Sequence, residues 1–304
     1  MPANVSSRIS ELLPAIPPGT GIPKTIYQVF YTKDLAPALQ QNIEKIRALN
    51  PTWSYELYDD DDMVRIVGEL YGPRVLDYYE RINPKYGAAR ADLFRYLLIY
   101  AKGGVYLDIK GSLDKPLDEV LREDDVYLLS RWRNRKGELY EGWGTHQKLQ
   151  KIGGQEFQQW HLIAAPGHPF LRKVIENVLE NIDAYHPIVG DTGKAGVLAL
   201  TGPIAYTLAI TPLINLYPCR LVDGQQEIGL RYSIFAAAPT PFRAHKSIFK
   251  HHYTELSEPI VRLSKSGQLL WILYRPLYKH VVLPLRHVGA AVGRRLPYSR
   301  TYRG

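Results

Sequence analysis

At 304 residues with 45% apolar side chains, the chain is long enough to bury a sizeable core, and a 22% charged fraction argues against disorder on a large scale. Its single cysteine, Cys219, excludes an intramolecular disulfide framework and a cysteine-rich zinc site, and fits a reducing compartment, the cytosol by default. The net charge of +8 is unevenly placed: residues 259–304 carry nine Lys and Arg and no acidic residue, so the remainder is close to neutral.

Residues 1–21, rich in proline and small residues, read as a leader lying on the surface. They lack the unbroken apolar run of a signal peptide or a spanning anchor, so neither is expected from that signal. Residues 25–31 are a β-branched and aromatic run suited to a first strand. Leu39, Ile43, Ile46 and Leu49 follow at helical spacing, closed by Asn50 and Pro51. Trp53, Tyr55 and Leu57 alternate over a second strand, and the aspartates Asp59 to Asp62 suit the positive end of a helix predicted through residue 70.

A helix is predicted over 87–102, with Gly103 placed for its C-terminal cap. Residues 105–109 are short, apolar and without polar alternation, the pattern of a central parallel strand. Strands are predicted at 126–130 and 161–165, and a helix at 169–182 opened by Pro169. Residues 201–210 read as helical, 248–253 as a late strand, and 269–292 as helical pieces broken by Pro276 and Pro284. This order predicts an α/β domain. Residues 131–159, with Arg131, Arg133, two tryptophans and His146 but no steady period, have the composition of a functional loop.

Asp92 and Arg95 stand three apart on the 87–102 helix, and Tyr106 and Asp108 two apart on the next strand, so each pair can share a face. Open α/β sheets bind ligands beyond the carboxyl ends of their strands, where Asp108 and Lys110 fall; the arrangement predicts a cradle for a polar, anionic ligand. As a plain surface pair, Asp92 and Arg95 would contribute about 0.3 kcal/mol. The surrounding Ala88, Ala89, Leu93, Leu97 and Leu98 leave little of the helix to face water, and buried charges need partners that a polyhydroxylated ligand could supply.

The string Asp92-x-x-Arg95-Tyr96, then Gly103-Gly104-x-Tyr106-x-Asp108, resembles the core of the glycosyltransferases of family 32 and, more distantly, the glucosylating clostridial toxins. Residues 22–30, 50–62 and 166–170, Thr201-Gly202-Pro203 and His251-His252-Tyr253 resemble further segments of that family, so the likeness runs over residues 22–258. It implies a GT-A type nucleotide-diphospho-sugar transferase fold, a Rossmann-like mixed but mainly parallel sheet flanked by helices. It implies transfer of a hexose from a nucleotide-sugar donor to a lipid-linked or membrane-proximal glycan acceptor, with retention of anomeric configuration.

By that resemblance Phe30 lies against the donor base, Asp92 and Arg95 hold sugar hydroxyls, and Tyr96 and Gly104 belong to the donor site. Tyr106 approaches the diphosphate or sugar, and Asp108 reaches a Mn²⁺ or Mg²⁺ ion. The family's second acidic position is Lys110 here. Two readings stand: a metal held by Asp108, a histidine near His251 and the donor phosphates, or Lys110 neutralising the diphosphate in its place. Catalysis falls to Asp108, Lys110 and Arg95, and the acceptor region to Trp132, Trp143, His146 and Trp160. The lysine also leaves open a catalytically silent binding protein.

Residues 259–304 form the third segment, outside the likeness. They mix Leu269, Leu270, Trp271, Ile272 and Leu273 with the basic residues, the composition of a surface-lying amphipathic segment drawn to anionic lipid at about 1 kcal/mol per charge. The prolines argue against a straight span; a helical pair packed on the domain is the alternative. Nucleic acid is not an expected partner, because the cations come with aliphatic bulk, although a basic nucleic-acid-binding protein is a third reading. The expected location is cytoplasmic, on the inner face of the membrane.

Overall fold

The β-branched run after Lys24 forms β1 (Thr25–Val29), flanked by β2 (Ser54–Tyr58) and β3 (Gly104–Leu107), both parallel to it. These strands come from a computed structural model that describes residues 8–186, 188, 190–235, 256–277 and 280–281. Beyond β3 lie β6 (His161–Ala164), β5 (Tyr127–Ser130) and β7 (Arg220–Val222), giving the order β2-β1-β3-β6-β5-β7. β6 is antiparallel to both neighbours and β5 pairs parallel with β7, so three of the five strand pairs are parallel. β3 is central as expected, but parallel on one side only. A separate two-stranded ladder joins β4 (Ser112–Leu113) to β8 (Leu230–Arg231).

The inner strands β3, β5 and β6 are buried on both faces, which is why they read as continuous apolar runs, while the edge strands β2 and β7 are partly exposed. Tyr106, Leu162, Tyr127 and Leu129 enter the larger core, and Val105, Leu107, Leu128 and Ile163 the smaller, as a period of two requires. α1 (Pro37–Leu49) and the single turn α4 (Leu117–Val120) lie on the smaller core's side; α2 (Asp60–Arg81), α3 (Gly87–Lys102) and α5 (Pro169–Asp183) pack on the larger.

Local chemistry explains most boundaries. Asp59 accepts from the Asp62 amide at 3.0 Å and Asp62 accepts from the Asp59 amide at 3.4 Å, a reciprocal cap. The helix expected through residue 70 does stop there: Gly72, at φ 74° and ψ −178°, breaks the helical backbone inside the span of α2, and Pro73 at the next position is preorganised to open the second helical piece, which runs on to Arg81. At the end of α3, Gly103 has φ 66°, and a Cβ there would sit 2.6 Å from Pro166 Cδ; one on Gly104 would sit 2.7 Å from the Thr25 carbonyl oxygen. The double glycine therefore lets the helix end approach β1 and the β6–α5 turn directly.

Residues 8–21 run largely over the surface and are anchored at two points: Ile9 and Leu13 are 1% and 5% exposed in the larger core, and Arg172 donates to the Ser10 carbonyl at 2.8 Å. Three expectations change. The helical run at 201–210 is a shorter helix, α7 (Pro203–Ile210), separated from α6 (Gly193–Leu200) by Thr201 and Gly202. This apolar run is long enough by composition to cross a membrane, yet two thirds of its most apolar window is buried inside the domain. The first tail residues are core residues too: Ile260 and Val261 are buried, with the Ile260 carbonyl accepting from Asn83 N at 2.7 Å. The last described helix is α8 (Lys265–Leu277), which starts earlier than expected. The late strand at 248–253, with His251, lies outside the described residues.

Candidate functional site

β3 ends at Leu107, and the chain turns through residues 108–111, closed by Gly111 N donating to the Asp108 carbonyl at 2.7 Å. The Asp108 amide donates to Trp160 O at 2.8 Å, and buried Gln28 donates to the Asp108 carbonyl at 3.0 Å. The turn is thus fixed from both neighbouring strands. It opens into a cavity of about 980 Å³ whose walls include Phe30, Asp92, Arg95, Tyr106, Asp108 and Lys110. Trp132, Trp143, His146 and Trp160 line the same cavity. The fold therefore gathers ten of the twelve described residues singled out from sequence. Tyr96 and Gly104 lie behind the wall: Tyr96 donates to the Thr201 carbonyl at 2.9 Å and stacks on Tyr206, and Gly104 abuts β1.

The buried charges do not wait for a ligand. Arg95 Nη2 lies 3.2 Å from Asp92 and 3.0 Å from Asp108, its Nη1 donates to the backbone and side-chain oxygens of Gln159 at 2.8 and 2.9 Å, and its guanidinium covers the Tyr106 ring at 4.6 Å. Asp92 accepts from Thr201 Oγ1 at 2.8 Å and from Gln159 Nε2 at 3.1 Å. Burial alone would lower the Arg95 pKa, but Asp108, Tyr106 and Asp92 raise it, holding the charge firmly. Burial raises Asp92, against the pull of Arg95, Thr201 and Gln159. Gln159 and Thr201 are thus the connectors of the cluster; Gln159 stands in the aperiodic loop and carried no signal of its own.

Asp108 keeps about a quarter of its side chain exposed and is the carboxylate that the cluster presents at the turn. Lys110, 9% exposed, donates to Tyr232 Oη at 2.8 Å with its ammonium 4.2 Å from that ring's centre. Tyr232, missed from sequence, meets Trp132, Trp143 and Trp160 edge to face at 5.0, 5.8 and 5.5 Å. The far wall is buttressed by Glu156, which accepts from Trp132 Nε1 at 2.6 Å and bonds His146 Nε2. Flat aromatic faces beside a polar cluster suit the CH-rich faces and hydroxyl edges of sugars.

His161 and His168 have structural settings. His168 caps α5 through Nδ1, accepting from Phe170 N at 3.2 Å, and burial pushes it down to about 4. Burial, reinforced by Arg95, pushes His161 down to about 3.

Residues 37–127 match the family model described as glycosyltransferase sugar-binding region containing DXD motif. Among curated proteins, the chain is 29% identical over 183 residues to the initiation-specific alpha-1,6-mannosyltransferase of Candida albicans, covering 55% of this chain and 45% of that one. It is 35% identical over 112 residues to a mannosyl phosphorylinositol ceramide synthase of Saccharomyces cerevisiae, covering 36% and 28%. The chain spans half or less of the length of these relatives. Among solved structures, the PaToxG glycosyltransferase superposes with a TM-score of 0.47 at 15% identity, over 90% of each chain.

The resemblance drawn from sequence sets the acid-x-acid pattern named in that description against Asp108-Ile109-Lys110, within the matched residues. Among the described residues no group of three His, Cys, Asp or Glu is gathered to hold a metal ion. Asp108 Oδ1 is already engaged by Arg95 and accepts from the Tyr106 hydroxyl at 3.3 Å, and its turn neighbour is a cation. The described donor set does not fit a divalent ion at this turn.

Proposed function

We propose that this chain is a glycosyltransferase that moves a hexose, mannose as first candidate, from a nucleoside-diphosphate donor to a lipid-linked or membrane-proximal glycan acceptor, with retention. The observation that carries the reading is the Arg95-centred cluster of Asp92, Asp108 and Gln159 opening into the 980 Å³ cavity, with its three charged members inside the stretch that matches a sugar-binding family model. A preorganised acid, cation and amide can fix a donor sugar by its hydroxyls, so that catalysis is positioning plus charge stabilisation. Phe30 serves the base, and Trp132, Trp143 and Trp160 the acceptor. The names of the relatives supply mannose and, for one, a lipid acceptor.

Release of nucleoside diphosphate from a panel of nucleotide sugars tests this. GDP-mannose turnover lost in Asp108→Ala and in Arg95→Ala is expected; no release from any donor would instead favour a silent sugar-binding protein, the reading that Lys110 keeps in play.

The tail belongs to the same proposal. None of the α8 residues is buried, and Leu269, Leu270, Ile272, Leu273, Tyr274 and Leu277 are 43–63% exposed. A helix with its apolar side chains exposed, in a 46-residue segment with nine cations and no acid, is suited to lie in the interface of an anionic membrane, on its cytoplasmic face.

A further inference from the structure

We infer that Lys110, positioned by Tyr232, binds the donor diphosphate and does so without a divalent metal; this rests on the nucleotide-sugar reading above. Of the two cations at the end of β3, Arg95 is matched by two carboxylates. Lys110, 9% exposed as a residue, is matched by none among the described residues: its ammonium has Tyr232 as its partner, through the hydroxyl at 2.8 Å and the ring at 4.2 Å. A buried ammonium without a counter-ion is costly, and its cost falls when an anion enters the cavity beside it.

The placement is built rather than incidental. Ile234 N donates to the Lys110 carbonyl at 2.9 Å, tying the segment that carries Tyr232 to the turn that carries the lysine. Tyr232 is itself held edge-on by three tryptophans, so the ammonium is fixed before any ligand arrives. A point cation with three donors can serve two non-bridging phosphate oxygens while still bonding the tyrosine hydroxyl. In the transfer, the bond between the sugar's C1 and the β-phosphate oxygen breaks and its electron pair stays on the phosphate. A bond forms from C1 to the acceptor hydroxyl oxygen, whose proton passes to the departing diphosphate. Lys110 stabilises the charge that develops on that leaving group.

Calorimetric titration of GDP and UDP into the full chain, with EDTA and with Mn²⁺, tests the inference. The wild type is expected to bind one of them with the same affinity in both conditions. Lys110→Met should lose tenfold or more in both; Tyr232→Phe should weaken binding several-fold and keep it metal-independent. Lys110→Asp, which restores two acids to the turn, should bind weakly in EDTA and recover with Mn²⁺. Wild-type binding that disappears in EDTA and returns with Mn²⁺ would overturn the role of Lys110 while leaving the donor reading intact. Absence of binding by the wild type to either nucleotide in both conditions would overturn both.

Discussion

Arg95 makes its ion pairs and hydrogen bonds with residues from three separate parts of the chain, and its neighbours divide into those that touch the cavity and those that hold it in place. Gln159 bridges Arg95, Asp92 and Tyr96, using its backbone carbonyl and both ends of its amide. Gln159→Leu keeps the bulk and leaves Arg95 and Asp92 short of partners in a buried setting, where an unmet polar group costs about 1–3 kcal/mol. The midpoint of urea unfolding should fall accordingly, and donor affinity should fall with it. Gln159→Glu keeps an acceptor for Arg95 but sets a carboxylate oxygen against Asp92, where the amide donated at 3.1 Å, so its advantage over Gln159→Leu should grow as pH falls and the pair takes up a proton; equal losses at every pH would show that the side chain only fills space. Asp92 and Arg95 were legible in sequence because three-residue spacing on an apolar helix is an unusual place for charges. Their partners were not, because Gln159 and Thr201 lie 67 and 109 residues from Asp92 in the chain.

At the scale of elements, the α3–Gly103–Gly104–β3 passage sets the geometry. Gly103→Ala would put a methyl against Pro166 and Pro23 while forcing an L-residue to a φ of 66°, so a loss of more than about 1 kcal/mol is expected, read as a lower thermal midpoint. A second element-level effect is set by pH. His161 and His168 are neutral in the folded chain until about pH 3 and 4, whereas in the unfolded chain they take up protons below about pH 6.5. Their contribution to stability is therefore full above pH 6.5 and is lost as pH falls toward 4, by ~1.4 kcal/mol per pH unit for each ring. His168→Asn keeps a capping acceptor at the start of α5 and removes one of these protons. The slope of stability against pH between 6 and 4.5 should drop relative to wild type, and an unchanged slope would place the titration elsewhere.

Across the whole molecule, the domain and its tail overlap. Ile260 and Val261 are part of the larger core, and Arg262 N donates to Arg81 O at 2.7 Å, so a cut at residue 259 would injure the fold itself. Removing residues 265–304 should leave the thermal midpoint nearly unchanged while abolishing sedimentation with vesicles containing phosphatidylserine. Substituting Leu269 and Leu273 by Asp in the full chain should do the same, because it places two negative charges on the exposed face of α8. Retained lipid binding in both variants would mean that another surface meets the membrane.

What the sequence determined by itself was local: strands that read as apolar runs, the Asp59 cap, the glycine stop after α3, the two charges on that helix and the odd lysine after Asp108. Each is a matter of spacing, backbone freedom or end charge within a few residues. Tertiary structure decided the rest. It set the antiparallel β6 at the centre of the sheet, the burial of Ile9 and Ile260 at opposite ends of the chain, the polar partners that already satisfy Arg95, and the tyrosine 122 residues away that holds Lys110. Such pairings come from bringing distant segments together around a shared core, and no local pattern encodes the partner of a buried polar group.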